Sequence, residues 1–206
     1  MYDLYTFGTP NGRKVSIMLE ELGVPYEVHV VDILKGDQFQ TDFLRISPNN
    51  KIPALVDRQR EQALMESGAI LIYLAEKHEQ LLGADRYVTL EWLMLQMGGI
   101  GPMLGQAHHF LQFNPGKAPY AEERYAAEAK RLYGVLNTRL EGREFLADQY
   151  SIADIATWPW ISRYAWQGID WSDYPALKRW YLQIADRPAV QRGYDVPARG
   201  ETPPIP

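Results

Sequence analysis

Two short stretches near the N-terminus carry residue types that can hold a reactive anion. Thr9 and Asn11 lie in Gly8-Thr9-Pro10-Asn11-Gly12, which is turn chemistry between a strand-like and a helix-like run. A helix N-terminus offers unbonded N–H groups and a partial positive charge, and these stabilise a thiolate and lower its pKa. The Thr9 hydroxyl and the Asn11 amide can add hydrogen bonds to such a sulfur, or they can cap the helix. The two roles are compatible. The chain has no cysteine, so it has no thiol nucleophile of its own, no disulfide framework and no Cys-ligated zinc or iron–sulfur centre. The second stretch is Glu66-Ser67, directly before another helix-like run, where Ser67 reads as a natural cap. His108 and His109 are adjacent, so they point to different helix faces and no shared metal is expected. Asp154 closes Ser151-Ile152-Ala153-Asp154, which resembles a capping box with Asp in place of Glu and reads as structural.

The elements that must position these residues divide near Leu81–Asp85. Before that point strand-like and helix-like segments alternate. A strand over Tyr2 to Phe7 is followed by a helix with Val15, Ile17, Met18, Leu19 and Leu22 at helical spacing, stopped by Gly23-Val24-Pro25. Tyr26 to Val31 alternates and is rich in β-branched residues, which predicts a second strand. A short helix near Asp42–Leu44, strands over Ile52–Asp57 and Ala63–Met65, and a helix over Ser67–Lys77 complete a βαβ–αββα order. A strand, a crossover helix and a strand make a parallel pair, and the two later strands make an antiparallel hairpin. After the division only helical periods occur. Tyr87 to Gln112 is a long apolar run broken by Gly98-Gly99-Ile100-Gly101-Pro102, read as one kinked helix whose small residues allow close approach at a cleft or dimer interface. Pro119–Leu140, Ser151 to about Gln167 with Pro159 as a kink, and Tyr174–Arg187 ended by Pro188 are further helices. Trp158, Trp160, Trp166, Trp171 and Trp180 read as core aromatics. The Pro-rich end after Val196 reads as extended and loosely held.

Composition narrows the function classes. The chain has 206 residues with 21 Lys+Arg against 26 Asp+Glu, a net charge of −5. A mildly acidic chain without polybasic clusters is a poor ligand for nucleic acid or for an anionic membrane. There is no signal-like N-terminus and no apolar run of membrane-spanning length, so a cytoplasmic location is expected.

Three segments together resemble the glutathione S-transferases, and the resemblance covers essentially the whole chain. Ser47-Pro48-Asn49-Asn50-Lys51-Ile52-Pro53-Ala54-Leu55 with Glu66-Ser67-Gly68-Ala69-Ile70-Leu71 is similar to their glutathione-binding signature. Tyr150-Ser151-Ile152-Ala153-Asp154-Ile155 is similar to the buried capping motif of their helical domain. Thr9-Pro10-Asn11-Gly12 and Gly98–Gln106 with His108-His109-Phe110 look like the bacterial Nu-class members, themselves similar to the globular domain of a yeast nitrogen regulator. The resemblance implies an α/β thioredoxin-like domain over residues 1–80 and an all-α domain over 86–206. It implies a homodimer that uses glutathione, reduced or oxidised, as co-substrate and needs no metal. It implies thiol–disulfide exchange with small disulfides, Thr9 and Asn11 holding the sulfur; the alternatives are conjugation of electrophiles or peroxide reduction, and a non-catalytic glutathione-binding regulator. Pro53 is expected to be cis, presenting the Ile52 backbone to glutathione. Ser67 and the helix start would receive the γ-glutamyl carboxylate, and Glu66 the γ-glutamyl ammonium. Gln38 and Lys51 would reach the rest of glutathione, Arg124 the glutathione of the partner subunit, and Gln106 and His109 the co-substrate. Tyr5 is the only tyrosine placed like the hydroxyl other transferases use; it reads as core or cleft wall.

Overall fold

The computed structural model describes residues 1–206, which form two compact units. The first contains residues 1–80 and 186–203, the second residues 81–185 and 204–206.

In the first unit β1 (Tyr2–Thr6) leads through a turn into α1 (Pro10–Leu22), and β2 (Tyr26–Val30) returns parallel to β1. Gly23 takes a left-handed φ of 63° and ends α1 by donating its amide to Glu20 and Leu19 carbonyls. α2 (Thr41–Ile46) precedes the hairpin of β3 (Ala54–Asp57) and β4 (Gln62–Met65), and α3 (Ser67–His78) follows. The sheet order is β2-β1-β3-β4, with β1 antiparallel to β3. This is the thioredoxin-like arrangement that the segment order predicts. Leu4, Leu55, Val15, Met18, Ile70 and Leu74 are fully buried and pin α1 and α3 to the sheet.

The second unit is helical. α4 (Arg86–Leu95) runs through a π-helical turn at Gln96–Ile100 into α5 (Gly101–Ala107), and a second π-turn follows at His108–Phe113. Backbone torsions at each junction stay right-handed helical, so this is one interrupted helix and not two helices with a loop. Its small residues admit an indole: a Cβ on Gly101 or Gly105 would come within 3.3 Å of Trp160 ring atoms. Pro102, lacking an N–H, sits where the ladder is already broken.

α6 (Pro119–Leu140), α7 (Ile152–Ile161) and α8 (Pro175–Ala185) complete this unit. Every residue of α7 is buried. Trp158 donates its indole N–H to the Tyr181 carbonyl at 3.0 Å and stacks on that ring. The helix ends at Ile161, earlier than the Gln167 expected: the Ser162 hydroxyl donates to the Pro159 carbonyl, and a 3-10 turn at Tyr164–Gln167 takes over.

α9 (Pro188–Tyr194) was not legible as a helix, because Pro188 reads as a stop. Here proline opens the helix, where its missing N–H is no loss. α9 belongs to the first unit: the Ser16 hydroxyl donates to the Gly193 carbonyl at 2.6 Å, and Arg187 pairs with Glu21 at 2.7 Å. Chain order had assigned residues 186–203 to the helical part. Nor is the tail after Val196 loose. The Asp195 carboxylate accepts from the Arg199 and Glu201 amides at 2.9 and 2.7 Å, and Glu201 pairs with Arg13.

Candidate functional site

The sheet register gathers the predicted residues of the first unit at one end. Tyr5 pairs with Ala54, Ala54 with Met65, and Thr6 with Val30. The residues just beyond those pairs therefore neighbour one another: Phe7–Asn11 after β1, Ile52-Pro53 before β3, and Glu66-Ser67 after β4.

Thr9 is extended (φ −105°, ψ 162°), and its Oγ accepts the Gly12 amide at 3.1 Å, so it is the N-cap of α1. An accepting hydroxyl keeps its own proton to donate. Capping and holding a sulfur therefore coexist in one side chain. Pro10 occupies the first turn, and that turn carries no acidic residue, so nothing offsets the positive helix end. Gly12 is required by close approach: a Cβ there would collide with the Phe7 carbonyl and the Thr6 hydroxyl. Half-buried Asn11 sits between Pro10 and Gly12 in the same turn.

The Ile52–Pro53 bond is cis, as expected. The buried Ser47 hydroxyl donates to the Lys51 carbonyl at 2.8 Å and fixes this loop, and Asn50 turns it with φ 49°. Ile52 packs beside Val31, Phe43 and Ala54. The Lys51 side chain is exposed. The Gln38 amide N–H donates weakly to the Ile33 carbonyl at 3.4 Å, and its buried Oε1 has no partner. Arg199 of the tail lies 4.2 Å from the centre of the Phe7 ring.

At α3 the roles differ from the simplest sequence reading. Ser67 is the first helical residue and not the cap; Glu66 holds the cap position with a left-handed φ of 68°, and its side chain makes no capping bond. Glu66 is exposed while Ser67 is buried. The Lys14 Nζ donates to the Ser67 Oγ at 3.4 Å. Lys14 is only 1% exposed. Burial pushes its pKa down to about 7, opposed by the Glu66 carboxylate. Sequence reading missed Lys14. Its signal was a charge at i−3 and i−4 to Ile17 and Met18, on the apolar stripe of α1.

The other predicted residues lie on the second unit. Arg124 lines a hollow of about 580 Å³ on α5 and α6 with Met103, Tyr120 and Tyr125. Gln106 and His109 are exposed. His108 is internal: Gln167 Nε2 lies 2.8 Å from its Nε2, and the ring stacks on Trp160. Burial, with Arg163 nearby, lowers its pKa to about 4, so it is a neutral packing residue. Asp154 is the structural hub expected. Its carboxylate accepts from the Leu146 and Ser151 amides and from Trp180 Nε1 at 3.0, 3.1 and 2.8 Å. Tyr5 stacks on His29, with ring centres 4.6 Å apart, and packs against Phe43. One cluster has metal-ligand types, Asp3, Glu27 and His29, but Arg58 pairs with both carboxylates.

A thioredoxin-like sheet with a donor-rich helix start and no cysteine is joined in chain order to a helical unit, the arrangement that the resemblance to glutathione S-transferases implies. The family comparisons agree. "Glutathione S-transferase, N-terminal domain" matches residues 4–81 and "Glutathione S-transferase, C-terminal domain" matches residues 100–188. The chain belongs to the glutathione S-transferase family. It is 52% identical over 199 residues to the disulfide-bond oxidoreductase YfcG of Escherichia coli, covering 92% of this chain and 93% of that protein. A glutathione transferase from Pseudomonas putida, solved with one glutathione disulfide per subunit, is 46% identical with a TM-score of 0.90, over 96% of this chain and 92% of that one. One from Burkholderia graminis, with two glutathione molecules per subunit, is 49% identical with a TM-score of 0.88, over 97% and 89%.

Proposed function

We propose that this protein is a Nu-like, glutathione-dependent disulfide reductase that draws both thiols from glutathione. The observation that carries the reading is the start of α1: a Thr9 hydroxyl with a proton left to donate, beside Asn11, in a chain with no cysteine. Relatives named as a disulfide-bond oxidoreductase, or solved with glutathione disulfide or two glutathiones, support it.

The chemistry follows from that inventory. A glutathione thiolate, held at the helix start by Thr9 and Asn11, attacks one sulfur of a small disulfide. A glutathione–substrate disulfide forms, and the departing thiolate takes up a proton. A second glutathione thiolate attacks the glutathione sulfur of that mixed disulfide and expels the second substrate thiol. Glutathione disulfide remains. The rate depends on thiolate fraction and on alignment of the three sulfurs. Glu66 and Ser67 would hold the γ-glutamyl end, Ile52 and Pro53 the cysteinyl backbone, and Gln38 and Lys51 the rest. The working unit is a homodimer in which Arg124 faces the partner's glutathione, with Gln106 and His109 toward the co-substrate. The need for reduced glutathione supports a cytoplasmic location. No helix of the chain is long and apolar enough to cross a membrane.

The test is turnover of 2-hydroxyethyl disulfide with glutathione. Thr9→Ala and Asn11→Ala should each lower it by at least about tenfold, some 1.4 kcal/mol of transition-state stabilisation. Glutathione affinity should change less, since its carboxylates are held elsewhere. Full turnover in the folded Thr9→Ala, Asn11→Ala double variant would sink the mechanism. Faster turnover of an aryl halide than of the disulfide would move the protein to the conjugating transferases.

A further inference from the structure

Resting on the glutathione reading above, we propose that Arg199 is a specificity-determining residue: a cation of the C-terminal tail, held beside Gly8 and Thr9, that receives the carboxylate of an anionic disulfide substrate.

The tail brings this side chain to the start of α1. The Asp195 carboxylate accepts from the Arg199 and Glu201 amides at 2.9 and 2.7 Å, so the backbone is fixed on both sides of Gly200. Glu201 pairs with Arg13 of α1, which ties the same turn to the helix. The Arg199 guanidinium then lies over the face of buried Phe7, 4.2 Å from the ring centre. Its Nη1 is 3.8 Å from where a Cβ on Gly8 would stand. Gly8 directly precedes Thr9, the N-cap whose hydroxyl has a proton left to donate. Any disulfide that reaches a sulfur held by Thr9 and Asn11 therefore passes beside Arg199.

The chemistry of the contact follows from this placement. Stacking on Phe7 uses the face of the guanidinium and leaves its N–H donors in the plane, where a carboxylate can take two of them at once. Arg199 is exposed, and no carboxylate of the chain pairs with it. The neighbouring acids are engaged elsewhere, Glu201 by Arg13 and Asp195 by backbone amides. The first turn of α1 carries no acidic residue either. The chain as a whole has a net charge of −5, which disfavours anions, yet this corner attracts them. A disulfide with a carboxylate a few bonds from its sulfurs can place the sulfur at the α1 start and the carboxylate on Arg199. A neutral disulfide has nothing to offer that cation.

The experiment compares kcat/KM for dithiodipropionate, which carries two carboxylates, and for neutral 2-hydroxyethyl disulfide, both at saturating glutathione with the full-length protein. Taking the ratio of the two, and comparing it between variants, cancels the intrinsic reactivity of each disulfide. Arg199→Gln should lower the dithiodipropionate to 2-hydroxyethyl disulfide ratio by about fivefold, the worth of one exposed ion pair. Arg199→Glu should lower it further, and Arg199→Lys should recover part of the loss. High salt should shrink the ratio in wild type and leave it nearly unmoved in Arg199→Gln. Circular dichroism checks that each variant is folded. A ratio within twofold of wild type in Arg199→Gln overturns the proposal, including the case where both disulfides slow equally, which would assign Arg199 to glutathione instead. A lysine variant no better than the glutamine one also overturns it, since the charge would then not be what counts. Each of these leaves the reductase reading standing. No turnover of either disulfide by wild type would overturn both.

Discussion

The starts of α3 and α7 are the same structural problem solved in opposite ways. Each helix exposes a set of amides with no intrahelical partner. At α7 the chain satisfies them itself: Ser151 accepts from Ala153, and Asp154 accepts from the Ser151 amide, the Leu146 amide and the Trp180 indole. The whole assembly is fully buried. At α3 the cap position is Glu66, which has a positive φ of 68° and whose side chain makes no capping bond. Ser67 is instead tied from behind by Lys14. A closed cap holds a fold together, whereas a helix start left without a side-chain cap is available to an anion from outside. The resemblance named both motifs; the hydrogen bonds show that the α7 start is closed by its own side chains, whereas the Glu66 side chain makes no capping bond at α3.

Variants at the two starts should separate stability from binding. The largest effect is expected at the closed cap. Asp154→Ala strands three buried donors, each costing about 1–3 kcal/mol, so urea unfolding should show a loss of about 4 kcal/mol or more. Glutathione affinity of the variant that remains folded should be unchanged. A loss below about 1 kcal/mol would mean that the α7 cap is not the hub its geometry indicates. At the open start the readout reverses. Ser67→Ala and Glu66→Ala should each weaken glutathione binding by roughly 10- to 150-fold, about 1.5–3 kcal/mol per charge-assisted hydrogen bond. Stability should fall less than in Asp154→Ala, because Ser67→Ala removes one long 3.4 Å bond from Lys14 and Glu66→Ala removes no capping bond. Unchanged affinity in both variants would remove them from the site.

Asp57 extends the contrast within the first unit, as a buried carboxylate at the far end of β3 from the site. Burial alone would raise its pKa, but the Lys77 ammonium and the Tyr73 hydroxyl outweigh it and hold the group at about 2. A folded pKa below the unfolded value gives stability that is fully present above about 4 and lost as pH falls toward 2. That contribution is about 2 kcal/mol, so Asp57→Asn should flatten the acid limb of a stability–pH curve between pH 4 and 2. An identical limb in the variant would show that Asp57 does not carry it. The smallest effect belongs to Gln38, whose buried Oε1 lacks a partner. Gln38→Leu should weaken glutathione binding by about fivefold, near 1 kcal/mol. A change within twofold would exclude it as a contact.

Much of this was legible in order and spacing. The strand–helix–strand opening, the hairpin and the helical remainder follow from periodicity and from Gly and Pro placement. The elements misread were those where proline had two meanings. Pro188 reads as a stop but opens α9, and Pro159 reads as a kink inside a longer helix although α7 ends two residues after it. Local sequence cannot separate those cases, because the missing amide costs nothing at a helix start and the decision rests on what packs against the segment. His108 and His109 make the same point. Adjacent in sequence, one is locked among Trp160, Trp166 and Gln167 and the other is exposed.

By itself, the sequence determined the class of fold and the positions of the candidate site. Pro10-Asn11-Gly12, the cis Pro53 loop and Glu66-Ser67 are short-range devices, set by turn chemistry and by which residues a backbone conformation admits. Only the tertiary structure decided what stands behind them. Lys14 and Arg13 are ordinary helix formers by type. They matter because α1 is covered by α3 on one side and by α9 and the tail on the other, across separations of 53 and 188 residues. Burial over such distances changes the cost of a charge and the pKa of an amine. Neither of these is a property of neighbours along the chain; each is set by how much water and how many partners the folded structure leaves around the group.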